Sequence, residues 1–278
     1  MGQGAEGLTT GWEPDVPVDD TLLRRFLFNW VADQEAHAEA MGGRVLRRDD
    51  VAATDWGRPA GFFSCAVLLR PFAHDPGRVL DVLDTFYFGE ARGTGMVVLA
   101  SPWPTADLRH EGWRLMGHPP LHLRPAGGAL PPFPAGLRIE AVRDVAALRA
   151  FEEVVVDGYP VEELQPFSPG ALLDEQILAD PRARRWVGWE GDRPVSAAAA
   201  FVAHGVVNVE FVATVPEARR RGFGEAVTWR AALAEPGLPA MLLSSDHGRS
   251  VYERMGFLPL LRWTMWYRER PPANPRMQ

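Results

Sequence analysis

A single cysteine, Cys65, occurs among 278 residues. One thiol excludes an internal disulfide framework and a cysteine-built zinc site. It falls in the apolar run 62–69, where a small buried hydrophobe is expected rather than a reactive nucleophile. Positive charge is also scarce: 29 Lys and Arg face 36 Asp and Glu, a formal net charge of −7. A phosphate backbone needs a basic face, so no nucleic-acid partner is expected. No apolar run reaches the ~18 residues that span a bilayer, so no membrane partner is expected either. The opening Met1-Gly2-Gln3-Gly4-Ala5-Glu6 has neither the apolar core of a signal peptide nor the Ser/Thr of a myristoylation motif. The expected compartment is therefore the cytoplasm.

What the chain does have is core-forming material. Hydrophobic residues make up 46%, including ten Trp and fourteen Phe, in a length that suits two domains. Residues 1–18 show no apolar periodicity and read as a flexible arm. Leu22, Leu23, Phe26, Leu27, Trp30 and Val31 recur at helical spacing, which predicts an amphipathic helix stopped by Gly42-Gly43. A buried strand over 62–69, a helix opened by Asp75-Pro76, a short strand over 96–100 and a helical turn over 106–111 follow. The run Ala126-Gly127-Gly128-Ala129-Leu130-Pro131-Pro132-Phe133-Pro134-Ala135-Gly136 cannot hold a regular element and is read as a linker.

Beyond it the pattern restarts. A strand over 137–142 leads to a helix capped by Asp144. Ser168-Pro169 reads as the start of a helix through Leu172, Leu173, Ile177 and Leu178. A hairpin over 186–203 turns at Glu190-Gly191-Asp192-Arg193. A strand over 206–213, a helix over 222–233, a strand over 240–245, a short helix over 250–255 and one closing strand over 257–267 complete the order. The fold class is α/β, with a mixed sheet in each half. The boundaries are 19–125 for the first domain, 126–136 for the linker, 137–270 for the second and 271–278 for a tail.

Chemistry concentrates in Val209-Glu210-Phe211-Val212-Ala213-Thr214-Val215-Pro216-Glu217-Ala218-Arg219-Arg220-Arg221-Gly222-Phe223-Gly224-Glu225. A strand ends near Thr214, Pro216 breaks it, and a helix starts at the glycines. Turn amides and the first helical N–H groups lack intrachain acceptors and form an anion cradle. Gly222 and Gly224 leave room for close backbone approach. Three arginines are a poor match for a helix N-terminus unless an anion accompanies them. The spacing fits neither the Gly-Lys-Ser/Thr end of a nucleotide P-loop nor the dinucleotide Gly-x-Gly-x-x-Gly.

This segment resembles the acetyl-CoA loop of the GNAT superfamily of N-acetyltransferases, Arg/Gln-x-x-Gly-x-Gly/Ala after a strand. Arg219-x-x-Gly222-x-Gly224 matches it. Val251-Tyr252-Glu253-Arg254-Met255-Gly256-Phe257 resembles the family's closing helix-to-strand segment, and the resemblance covers about 137–270. It implies two GNAT-like domains, the second with the intact loop and the first degenerate. Residues 70–76 of the first half carry no such loop, which leaves that half a wall of the acceptor site or a stand-in for a partner subunit.

The resemblance further implies acetyl-CoA as cosubstrate, held by Val212, Ala213 and Thr214 along the pantetheine arm. Arg219, Arg220, Arg221, Gly222, Phe223, Gly224 and Glu225 would surround the diphosphate. It places Tyr252 as the acid and Glu210 as the base, each against a packing or positioning alternative. Tyr159, Phe167 and Asn208 fall where relatives build the acceptor pocket, and the acceptor is a small-molecule amine or a peptide. A monomer or homodimer is expected, and no metal. His118 and His122 are separated by Pro119 and Pro120, which deny them a shared helical face. His247 could line the site or sit in an exposed turn. Two alternatives stay open: a catalytically silent CoA-binding module, and a tandem enzyme of the mycothiol synthase kind.

Overall fold

The computed structural model describes residues 21–58, 63–72, 76–89, 96–159, 161–246 and 248–269. The expected arm at 1–18, the tail, and His247 lie outside them, as does part of the 70–76 loop.

Helix α1 (Leu22–Ala40) begins where the Thr21 side chain accepts the Arg24 N–H at 3.2 Å. That satisfies one of the amides a helix start leaves without an acceptor. Its apolar face buries Phe26, Leu27 and Val31, and beside them lie Asn29, Asp33 and His37, all at most 1% exposed. These three stand at i, i+4 and i+8, so they form one stripe. Asn29 Nδ2 donates to the carbonyls of Phe201 and Ala203 at 3.0 Å and of Val206 at 3.1 Å. A helix from the first half is thereby fastened to a hairpin of the second.

The strands and remaining helices follow in chain order: β1 (Arg44–Arg47), β2 (Val51–Asp55), β3 (Ser64–Leu68), α2 (Gly77–Phe88), β4 (Met96–Ser101), β5 (Arg114–Gly117) and β6 (Pro120–Arg124). After the linker come β7 (Leu137–Ala141), α3 (Val145–Gly158), β8 (Ala183–Glu190), β9 (Arg193–Ala203), β10 (Val206–Thr214) and α4 (Phe223–Ala232). The chain then closes through β11 (Ala240–Leu243), α5 (Arg249–Arg254), β12 (Leu258–Arg262) and β13 (Thr264–Glu269). Asp144 caps α3 as expected, accepting the Ala147 N–H at 2.8 Å. Cys65 is buried in β3, and burial pushes its thiol up to about 12.

Two mixed sheets result, matching the expected α/β class with one sheet for each half. Their orders are β1-β2-β3-β4-β13-β5 and β12-β6-β11-β10-β9-β8-β7. Each contains one parallel pair, β3 with β4 and β10 with β11, and the other neighbours are antiparallel. The sheets exchange strands. β6, from the first half, lies between β11 and β12, while β13, from the end of the chain, lies between β4 and β5. The linker therefore does not separate the sheets; each is completed by the other half.

Three expectations are corrected. The single closing strand over 257–267 is two strands, β12 and β13, which part at Trp263 and enter different sheets. The helix expected through Leu172 and Ile177 is a loop followed by a 3-10 turn at Glu175–Ala179. The amides of Gly170, Leu172 and Leu173 donate instead to the buried Glu152 carboxylate at 3.1, 2.9 and 2.7 Å, which draws the backbone out of a helical ladder. Strands β1, β2, β5 and β6 were not placed beforehand; Pro120 stands at the first residue of β6, a position that tolerates a missing N–H. Among the described residues no helix is long and apolar enough to cross a membrane.

Candidate functional site

The site forms where β10 and β11 part. They pair only through Val207 with Ala240 and Asn208 with Met241. Further along, β10 loses register with β9 between Glu210 and Ala213, so Phe211 and Val212 have no partner in that ladder. Phe211 takes a φ of +49°, a left-handed value rare outside glycine. The bulge re-aims the strand at the gap, as bulges beside binding sites do.

Past Thr214 the chain turns through Pro216–Ala218 into α4, whose cap Gly222 has a φ of +80°. A Cβ at Gly222 would stand 3.2 Å from Pro134 Cγ, and one at Gly224 would stand 2.8 Å from Thr214 Oγ1. Glycine thus lets the helix start pack on the strand end. Ala226 N–H donates to Gly222 O at 3.0 Å and opens the helical ladder, which offers no acceptor to the amides before it.

The three arginines divide. Arg219 staples the loop, donating to Thr214 O at 3.2 Å and Gly158 O at 2.9 Å. Arg221 turns away to pair with Glu190 and stacks over Phe223. Arg220, with a φ of +61°, lines the cavity. Of the three, Arg219 and Arg220 line the cavity and Arg221 does not, while Arg254 of α5 adds a guanidinium to the lining.

Two cavities open here. The larger, about 310 Å³, is lined by Thr214, Arg219, Arg220, Gly222, Gly224 and Glu225, with Phe223 and Thr228 behind them. Ala213 is buried instead, and Arg221 is not part of the lining. The smaller, about 210 Å³, is lined by Phe26, Trp30, Tyr159, Asn208, Glu210 and Phe211, closed by Leu242, Leu243 and Met265. Val212 and Tyr252 line both. Phe167 packs on the core and lines neither.

Tyr252, on α5, lies edge-on to Phe257, with ring centroids 6.0 Å apart, and burial pushes its phenol up to about 12. Tyr159 Oη donates to Val212 O at 2.7 Å. Tyr159 is half-exposed as a whole, but desolvation at its hydroxyl, then the charges of Tyr252 and Glu210, raise its phenol above the ordinary value, so it stays a donor. Asn208 is 2% exposed, and its Nδ2 has no protein acceptor. Burial and then the charge of Asp33 hold the Glu210 carboxyl well above the usual carboxylate range, opposed by Arg185.

Sequence reasoning missed Phe26, Trp30 and Met265, which bring the first half and the exchanged strand into the smaller cavity. It also missed Asp33, His37 and Arg185 beneath Glu210. The signal was present: Asp33 and His37 are polar residues on the buried face of an amphipathic helix. Asp33, His37 and Glu210 offer ligand atoms within 4.8 Å of one another. They do not suit a metal, because both ring nitrogens of His37 are engaged: Nδ1 lies 2.9 Å from Asp33 O and Nε2 2.6 Å from Arg185 Nη2. His118 and His122 do not converge either; His118 Nδ1 faces Thr264 Oγ1 at 3.4 Å and His122 Nδ1 faces Ser244 Oγ at 3.5 Å.

A parallel pair that splays beside a bulged strand, with a glycine-capped helix at its mouth, defines a two-sheet α/β protein with a divided ligand cleft. Residues 148–257 match the model of the acetyltransferase (GNAT) family, so this segment carries a GNAT domain. In fold it is similar to a GCN5-related N-acetyltransferase from Kribbella flavida (23% identity, 88% of this chain and 96% of that one, TM-score 0.62). It is also similar to a functionally unknown conserved protein from Staphylococcus epidermidis (14% identity, 83% and 96%, TM-score 0.58). A GCN5-related N-acetyltransferase from Sphaerobacter thermophilus is a third (15% identity, 81% and 78%, TM-score 0.50). These likenesses carry the fold alone. No curated protein matches the chain by sequence.

Proposed function

We propose that this chain transfers an acetyl group from acetyl-CoA to the amine of a small molecule with an apolar flank, by direct attack. The observation that carries this reading is that two cavities of different character meet at Val212 and Tyr252. One is a cradle of turn amides and Arg220; the other is walled by aromatic and aliphatic side chains with Glu210 and Asn208 as its polar points.

The residues present suit acetyl-CoA. Amides at Gly222–Glu225 and Arg220 would hold the diphosphate, and the unpaired stretch at Phe211 and Val212 would hold the pantetheine arm as an added strand does. Bound there, acetyl-CoA supplies an activated acetyl thioester. Glu210 takes a proton from the acceptor ammonium and frees its nitrogen lone pair. Tyr252 Oη holds the proton for the departing sulfur, whose own proton affinity rises in the same apolar surroundings. Phe26 and Trp30 exclude water and favour an acceptor with an aromatic or aliphatic flank. Both walls come from one chain, which supports a monomer, alone or paired, as the working unit.

The test is free-thiol release from acetyl-CoA with a panel of arylalkylamines, alkylamines, polyamines, amino sugars and short peptides. Release with the arylalkyl and alkyl members is expected. Binding of acetyl-CoA without turnover on any amine would instead leave a silent CoA-binding module, and preference for polyamines or sugars would contradict the apolar acceptor.

A further inference from the structure

Asp33 and Glu210 come from opposite halves of the chain and meet beneath the smaller cavity. Asp33 is 0% exposed, and both its carboxylate oxygens are buried without a hydrogen-bond donor from the protein. His37 does not relieve them. A guanidinium only donates, so the contact from Arg185 Nη2 makes His37 Nε2 the acceptor and puts the ring proton on Nδ1. That proton goes to the main-chain carbonyl of Asp33 at 2.9 Å, although Oδ1 is close, at 3.1 Å. His37 therefore gives neither carboxyl a proton donor, and the Asp33 and Glu210 carboxyls lie close together without a donor between them.

Arg185 has the complementary problem. It is 3% exposed, its hydrogen-bond contacts are to His37 Nε2 and to Ala183 O at 3.3 Å, and its guanidinium lies 5.8 Å from the centre of the Phe151 ring, none of them an anion. A buried charge without a counter-charge is costly. One proton shared by the two carboxyls answers both faults: one group becomes an O–H donor, the other its acceptor, and the remaining single negative charge balances Arg185. The other charged or titratable groups around the pair are Asp180 and Arg182 ahead of β8, which pair with each other at 2.7 Å, and Tyr159 after α3.

We propose that Asp33 is a positioning residue for Glu210: the two carboxyls share one proton at rest, and helix α1 of the first half thereby sets the pH at which the second half's base works. As pH rises the shared proton leaves to solvent. The dianionic pair then takes one proton from the acceptor ammonium, giving the free amine and restoring the one-proton pair.

The first test needs no substrate. Stability of the full chain is measured by urea unfolding from about pH 5 to about pH 9, for wild type, Asp33→Asn, Glu210→Gln and the double variant. A carboxyl whose folded value is raised gives stability that is complete below its unfolded value and is lost as pH rises through the folded one. Wild type should therefore lose stability with rising pH across this window. Asp33→Asn leaves Glu210 raised by burial alone and should shrink that loss, Glu210→Gln should remove it, and the double variant should match Glu210→Gln in slope. A merely structural Asp33 would lower stability equally at every pH with the wild-type slope kept, and that result would overturn the proposal. Should Asp33→Asn not fold, infrared difference spectra decide: wild type should keep a protonated-carboxyl stretch at neutral pH that Glu210→Gln lacks. Its absence from wild type would also overturn the proposal.

The second test rests on the acetyltransferase reading. The acid limb of kcat/KM should move to lower pH by about one unit or more in Asp33→Asn, and an unmoved limb would contradict the pairing. If no amine turns over, that reading fails by itself, and the unfolding and infrared results still decide the carboxyl pair.

Discussion

Tyr159 Oη donates to the carbonyl oxygen of Val212 across 2.7 Å, joining the end of α3 to the bulged stretch of β10. The bond acts where β10 has left its ladder with β9, so the bulge owes part of its shape to a side chain. Tyr159→Phe should lower unfolding stability by about 0.5 to 1 kcal/mol, the net worth of one hydrogen bond at a half-exposed site. It should also weaken acetyl-CoA binding several-fold, because Val212 is no longer held. Urea unfolding and calorimetry measure both; unchanged affinity would mean that the bulge holds itself.

Gly222→Asp places a carboxylate at the cradle and a side chain at a φ of +80°. Acetyl-CoA should no longer raise the melting temperature, while circular dichroism stays native despite a cost of about 1 kcal/mol for the left-handed backbone. Normal binding by this variant would move the cradle elsewhere.

The segments that line the larger cavity were legible beforehand, and the reason is local. Gly222, Gly224, Arg219 and Tyr252 sit in short segments whose spacing alone carries the pattern, and the elements holding them formed close to the expected residues. Residues brought in by the exchange were not legible. Met265 belongs to a strand that reads as the end of the second half, yet it wedges into the first sheet, and nothing local to 257–267 signals a change of sheet at Trp263. The loop over 168–174 was misread for a related reason: its amides follow Glu152, a buried carboxylate about twenty residues away in sequence. Asp33 and His37 were visible as polar residues on an apolar helix face, but only the sheet across from them gives that stripe a purpose.

Tyr252→Phe should keep acetyl-CoA affinity and lower kcat by roughly 10²-fold or more, within the range of general acid catalysis. With the phenol up at about 12, it stays protonated throughout the working range, so no alkaline limb from Tyr252 should appear below that value. The acid limb should lie above the ordinary carboxylate range, because Glu210 holds its proton there. Rate against pH for wild type and variant checks both; equal turnover would make Tyr252 a packing residue.

The exchange of β6 and β13 predicts how the chain fails when cut. A fragment of residues 19–125 lacks β13 and leaves the edges of β4 and β5 unpaired; a fragment of 137–278 lacks β6, between β11 and β12. Each should be unfolded or aggregated alone, since open ladder edges recruit other chains, and the two together should recover native circular dichroism. A folded 137–278 fragment that binds acetyl-CoA would show that β6 is dispensable.

Calorimetric titration of the full chain with acetyl-CoA bears most directly on the cleft built around Gly222 and Val212. One binding event per chain is predicted, with about 2.7 kcal/mol of added stability at a free concentration near 100 times Kd. No binding, or two events per chain, would contradict the assignment of a single cradle at the start of α4.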